Sequence, residues 1–168
     1  MTDSMLLTQA AYDRLKEELT QLITVGRHDI AKRIQDAREE GDLKENGGYH
    51  AAKEEQGKIE ARINRLEEIL ATADIGTADA SDGIVKQGLW IKCKLNGRDT
   101  EFYLGSHEIF EGTEYEVQIE EGDLDVYSPD SPIGQQVMGK KVGDKVAYSA
   151  PNGKEVTVEI VAVENFEF

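Results

Sequence analysis

From Tyr12 onward, apolar residues recur at helical spacing. Tyr12, Leu15, Leu19 and Leu22 step by three, four and three residues, which is an a/d seam. The next seam position falls on Gly26. The apolar set then resumes at Ile30, Ile34 and Ala37, one residue out of phase with a strict heptad. A poor helix former on the seam, followed by a phase shift, predicts a break or stutter near Val25–Asp29. A second stretch is regular: Tyr49, Ala52, Gln56, Ile59, Ile63, Leu66, Leu70 and Ala73 alternate threes and fours throughout. Thr8 signals the start of the first helix and Asn46 that of the second. Two antiparallel helices follow, joined by a turn within Glu40–Gly48, EGDLKENGG. Gly41, Gly47 and Gly48 supply the freedom to reverse the chain, or else sit at helix ends. With the second helix over roughly 46–73, the hairpin is about 42 Å long. Two helices of that length cannot bury much core between them.

Beyond residue 75 the pattern changes. Residues 74–82, DIGTADASD, read as a polar linker. Trp90–Leu95 and Thr100–Leu104 are short β-rich runs joined by Asn96-Gly97, a hairpin signal. Tyr115–Ile119 and Leu124–Tyr127 predict two further strands. Pro132–Gly139 has helical spacing at Ile133, Val137 and Met138. Lys145–Ser149 and Glu155–Val163 predict a final hairpin around Pro151-Asn152-Gly153, its last strand well buried. The expected fold class is α+β: a coiled-coil hairpin over 1–75 with an acidic tip at 41–48, a linker over 76–82, and a small α+β domain over 83–168.

Composition narrows the functional classes. Hydrophobic residues make up 39% of the 168 and charged residues 32%, which fits soluble globular or coiled-coil proteins. No run approaches the ~20 consecutive apolar residues of a membrane helix. The start of the chain becomes charged within its first dozen residues and lacks a signal-peptide stretch, so a cytoplasmic location is expected. Cys93 is the single cysteine, which excludes an intrachain disulfide and a cysteine metal cluster. The net charge is −15, of which residues 1–74 carry −5 and residues 75–168 carry −10. From His107 to Asp125 there are eight acidic residues and no Lys or Arg. Phosphate-backbone binding draws on a Lys/Arg surplus, so strong independent nucleic-acid binding is not expected, and a partner with a basic surface is. Acidity that serves only solubility is the plainer alternative.

Asp42 and Glu45 lie three residues apart in the turn, and a turn or one helical turn lets their carboxylates converge. Two adjacent carboxylates call for a cation between them. Mg²⁺ suits them, but two carboxylates leave its coordination incomplete, so a partner would supply the rest. On spacing alone, such a pair is ordinarily solvated surface. Arg38 and Lys53 flank the turn with Lys44 between them. They either steer a phosphate backbone toward the tip or pair with Glu39, Glu40, Glu54 or Glu55. Tyr49 continues the seam, and Leu43 is an apolar residue in a polar turn. His28, His50 and His107 show no metal-ligand spacing, and no nucleophile elbow, P-loop or GxGxxG is present.

The segment Ala37–Gln56, AREEGDLKENGGYHAAKEEQ, resembles the tip signature of the bacterial Gre transcript cleavage factors, GreA type. YSPDSPIGQQVMGKKVGDKV and PNGKEVTVEIVAVE resemble later segments of the same family, so the likeness spans nearly the whole chain. The resemblance implies a coiled coil that enters the secondary channel of bacterial RNA polymerase. It implies an FKBP-like C-terminal domain that docks at the channel rim, with Ser131 and Pro132 matching the docking segment. Asp42 and Glu45 match the acidic pair that helps hold a catalytic Mg²⁺, shared with the polymerase and not bound tightly by the isolated protein. Arg38 and Lys53 match a basic patch that contacts nascent RNA near its 3′ end. The implied function is stimulation of the polymerase's own hydrolysis of backtracked RNA, by a monomeric factor that is not itself an enzyme. Gly47-Gly48 departs from the usual Ala-Glu, a replacement able to loosen the start of the second helix. The acidic Glu108–Glu121 stretch is also longer than the family pattern.

Three other readings compete. A Gre-like channel binder would inhibit or compete without supporting cleavage; the intact acidic pair disfavours it. A prolyl isomerase would need aromatics around a proline pocket, and those of the C-terminal half are scattered along the sequence. A purely structural coiled coil would tolerate loss of the tip charges.

Overall fold

The structure, a computed structural model, describes residues 4–42 and 44–168; Leu43, the apolar tip residue noted above, lies outside them. One unit spans Tyr12–Thr72. Its first arm comprises α1 (Gln9–Gln21) from Tyr12 onward, a π-helical turn (Leu22–Gly26) and α2 (Arg27–Glu39), and its second arm is α3 (Gly47–Thr72). The π-turn explains the phase shift of the seam. An i→i+5 turn takes up one extra residue, so the helix continues while the apolar set moves on by one. The irregularity therefore sits at Leu22–Gly26, slightly before the expected position, and the arm is continuous.

Ile30, Ile34 and Ala52 form a buried cluster, with Tyr49 and Ile59 packed against it. Farther along α3, Ile63, Leu66 and Ile69 are buried. The expected seam position Leu70 is only partly buried, because Ile69 takes the inward position. Ion pairs cross between the arms from Arg33 to Glu55, Arg27 to Glu60 and Glu18 to Arg62, so the arms run antiparallel. Gly26 has helical backbone, and an added Cβ would meet Leu22 at an ordinary 3.5 Å. Gly26→Ala is thus expected to stabilise the hairpin by about 0.5–1 kcal/mol, seen as a higher midpoint of thermal unfolding by far-ultraviolet circular dichroism.

The other unit joins residues 4–11 to residues 73–168. This differs from the expected 1–75 boundary, because β1 (Leu6–Leu7) pairs in parallel with β2 (Asp74–Ile75). The expected linker over 76–82 is also tied to this unit. The Gly76 N–H donates to the Leu7 carbonyl, the Ala80 N–H donates to Asn165 Oδ1, and Ala78 and Ala80 pack on the sheet's core.

The main sheet has five strands in the order β5-β4-β3-β7-β6. They are β3 (Leu89–Leu95), β4 (Arg98–Leu104), β5 (Val126–Tyr127), β6 (Lys145–Ser149) and β7 (Glu155–Asn165). All neighbours are antiparallel except β4 and β5. Asn96 and Gly97 both have positive φ, 51° and 81°, as a type I′ hairpin requires. One face packs Leu89, Ile91, Cys93, Phe102, Leu104, Val158 and Ile160 against Ile133 and Val137 of α5 (Pro132–Val137). Strand β7 is buried on this face only; Val161, pointing the other way, is 47% exposed.

Tyr115–Ile119, expected as a strand, lies within a helix, α4 (Tyr115–Glu121), closed by Gly122 at φ 83° in a left-handed C-cap. The aromatics that look scattered in sequence meet in space. Tyr103, Phe110, Tyr115, Phe166 and Phe168 form one cluster, with Phe166 5.3–5.5 Å from the first three rings. Tyr103 follows the inward-facing Phe102, so it lies on the sheet's second face, where these rings build a small further core. The acidic 107–121 segment is anchored there by Ile109 and Phe110, both buried. Among the described residues, no helix is long and apolar enough to cross a membrane.

Candidate functional site at the hairpin tip

The reversal between α2 and α3 is shaped by three local devices. Gly41 takes φ +139°, a backbone conformation that side-chain-bearing residues rarely adopt. Asn46 clamps both arms: its Nδ2 donates to the Ala37 carbonyl at 2.5 Å, and its Oδ1 accepts from the Tyr49 N–H at 3.0 Å. The second bond is an N-cap. With the His50 N–H donating to the Asn46 carbonyl at 3.1 Å, α3 begins firmly at Gly47, and the Gly47-Gly48 pair does not delay it. The third device is an Asx turn in which the Lys44 N–H donates to Asp42 Oδ1 at 3.1 Å.

Asp42 and Glu45 are both exposed, and neither makes an ion pair among the described residues. Arg38 places its guanidinium 5.7 Å from the centre of the Tyr49 ring, a cation–π contact. Lys53 donates to Gln56 Oε1 at 2.8 Å. Two of the four carboxylates named above as partners for this patch are engaged elsewhere: Glu55 with Arg33, and Glu54 with Lys58. Arg38, Lys44 and Lys53 have no carboxylate partner among the described residues.

Among the described residues, no group of three or more His, Cys, Asp or Glu side chains gathers where a metal ion would be held. The tip's own donor set is two hard carboxylates. That chemistry suits a hard cation such as Mg²⁺, but two carboxylates alone leave its coordination incomplete. Cys93 offers no alternative nucleophile: it is buried in the sheet core, and desolvation pushes its thiol up to about 11.

Ser131 and Pro132 lie in the other unit, at the start of α5. Ser131 Oγ accepts from the Gly134 N–H at 3.0 Å and donates to the Ser128 carbonyl at 2.6 Å, so it caps the helix. Pro132 occupies the first helical position and is exposed. The paired bonds of Asn46 are not expected from the sequence. The Asn46 cap signal was present, but a helix reading assigns it one bond and not two.

Residues 5–75 match the family described as Transcription elongation factor, N-terminal. Residues 111–165 match the family described as Transcription elongation factor, GreA/GreB, C-term. The chain belongs to the GreA/GreB transcription elongation factor family. Among its relatives, Transcription elongation factor GreA of Streptomyces coelicolor is 45% identical over 163 residues, covering 95% of this chain and 93% of the relative. Transcription elongation factor GreA of Mycobacterium tuberculosis is 44% identical over 168 residues, covering 99% of both. The crystal structure of the GreA factor homolog 1 protein of Thermus thermophilus aligns over 97% of this chain and all of that one, at 27% identity and a TM-score of 0.42. The two family matches span the hairpin and residues 111–165 of the sheet unit.

Proposed function

We propose that this GreA/GreB family member stimulates transcript cleavage by completing the active site of bacterial RNA polymerase. The hairpin enters the polymerase's secondary channel, and Asp42 and Glu45 reach the catalytic centre. There the polymerase hydrolyses backtracked nascent RNA near its 3′ end, and elongation resumes. The chain contributes ligands, and the endonuclease activity belongs to the polymerase. The observation that carries this reading is the acidic pair itself, exposed in the chain reversal and unpaired among the described residues. Exposed carboxylates without cations and exposed cations without carboxylates are free to meet groups of a partner.

Asp42 and Glu45 supply negative oxygens to a Mg²⁺ shared with the polymerase, and the Lys44 N–H orients the Asp42 carboxylate. When bound, Mg²⁺ stabilises developing charge and lowers the pKa of an attacking water. Arg38 and Lys53, with Lys44, contact the RNA phosphates and hold the strand beside the acidic pair. The factor acts as a monomer in the cytoplasm. Its sheet unit docks at the channel rim through the start of α5. Ser131 is occupied as a cap, so the exposed Pro132 ring is the accessible element. Pro132→Ala is expected to raise the Kd for polymerase roughly fivefold, about 1 kcal/mol, with little change in stability. Unchanged affinity in a competition assay would count against docking through this loop.

The deciding experiment is cleavage of a stalled, backtracked complex by cognate polymerase with Mg²⁺, with and without the protein. Faster release of a short 3′ fragment supports the reading. Tight binding without faster release would identify a competing channel binder and overturn it.

A further inference from the structure

His50 sits on the first turns of α3 and takes no part in the chemistry above. Its Nε2 lies 3.2 Å from the Lys44 carbonyl oxygen. Its ring packs edge-on against Tyr49, with centroids 5.6 Å apart. A carbonyl can only accept, so the contact requires the proton on Nε2. Lys44 is also held from its other side, where its N–H donates to Asp42 Oδ1. The Lys44 carbonyl belongs to the same planar peptide unit as the Glu45 N–H. A single residue therefore ties the Asp42 carboxylate and the backbone of Glu45 to the body of α3, through His50. Tyr49, against which the imidazole rests, is in turn fixed by the Asn46 cap and the Arg38 guanidinium.

We propose that His50 is a positioning residue for the acidic pair. By holding the Lys44–Glu45 peptide on α3, it presets the placement of both carboxylates before the tip meets a partner. The need is physical: the turn contains Gly41, and an unanchored loop must lose its freedom at every engagement. The role rests on the cleavage reading above, but the anchor itself is a property of the free protein.

Three variants separate the contributions. His50→Gln keeps a side-chain N–H donor at similar reach, His50→Phe keeps a ring without a donor, and His50→Ala removes both. The first measurement is nitrogen relaxation of the Lys44 and Glu45 amides in the free protein. Their order parameters are expected to fall from about 0.85 to below about 0.6 in the Phe and Ala variants and to hold in the Gln variant. Imidazole nitrogen shifts of the unmutated protein are expected to report the Nε2–H tautomer. In the cleavage assay at saturating factor, the Phe and Ala variants are expected to lower the maximal rate roughly five- to tenfold, the loss of one hydrogen bond. Polymerase affinity is expected to be unchanged, the Mg²⁺ requirement higher, and the Gln variant rescued.

Equally ordered amides in the Phe variant, or an Nδ1–H tautomer, would overturn the proposal. So would a loosened turn with undiminished cleavage. Failure of the unmutated protein to stimulate cleavage would instead sink the functional reading, while the amide measurements would still decide whether His50 anchors the tip.

Discussion

The Asp42→Ala, Glu45→Ala double variant is expected to lose cleavage stimulation by on the order of 100-fold or more, the scale for removing groups that stabilise transition-state charge. Its affinity for polymerase is expected to stay within about twofold. Both side chains are exposed and neither joins an ion pair among the described residues, so global stability is expected to change by no more than about 0.5 kcal/mol. The single variants are expected to differ. Asp42→Ala removes a carboxylate and also the acceptor of the Lys44 N–H, so it loosens the turn as well. Asp42→Asn keeps that acceptor and loses only the charge. Equal losses in the Asn and Ala variants would assign the effect to charge, and a milder loss for Asn would assign part of it to the turn. Full activity from the double-alanine protein would end the ligand-donation mechanism, because Asp42 and Glu45 are the carboxylates through which it works.

The hairpin was legible because its seams are long and their defect is quantised. A one-residue phase shift between Leu22 and Ile30 can be absorbed by a π-turn, and one lies at Leu22–Gly26. The heptad became misleading at its end, where Ile69 displaces Leu70 from the buried position. In the sheet unit, strands bounded by clear turns were read correctly, as at Asn96-Gly97. Tyr115–Ile119 was not, since Tyr115, Val117 and Ile119 alternate like a strand. Its side chains settle the matter in space: Tyr115 packs edge-on with Phe110 and Phe166, while Val117 is 55% exposed. Gly122, a left-handed cap, was the local signal that favoured a helix. The aromatic cluster was invisible because its members come from β4, the 107–121 segment and the residues after β7. At the tip, spacing revealed which residues carry charge. It could not reveal which backbone atoms Asn46 and His50 hold, since those bonds depend on the closed turn.

Gly134→Ala is expected to destabilise the sheet unit by about 3 kcal/mol, the upper end of overpacking costs. Propensity alone points the other way, because Gly134 lies in a helical turn where Ala is normally favoured by up to about 1 kcal/mol. The opposing contact is stronger. An added Cβ would sit 2.1 Å from the Ser128 carbonyl oxygen and 3.0 Å from the Pro129 carbonyl carbon. Both are backbone atoms, and no side chain can rotate away to relieve them. The Ser128 carbonyl also accepts from the Ser131 N–H at 3.0 Å and from Ser131 Oγ, so displacing it breaks the cap of α5. Moving α5 instead would pull the buried Ile133 and Val137 out of the sheet's core. Thermal unfolding followed by the fluorescence of Trp90, the single tryptophan, reads this unit directly. A fall in Tm of roughly 10–15 °C corresponds to the predicted loss. Gly26→Ala in the hairpin should shift stability in the opposite direction, and that pairing guards against any general effect of replacing glycine. An unchanged or raised midpoint for Gly134→Ala would mean that the contact is relieved at no cost. With the expected loss, Gly134 is explained by close packing and Ser131 by its cap bonds, which leaves exposed Pro132 as the residue of that segment whose effect on polymerase binding can be measured without unfolding the protein.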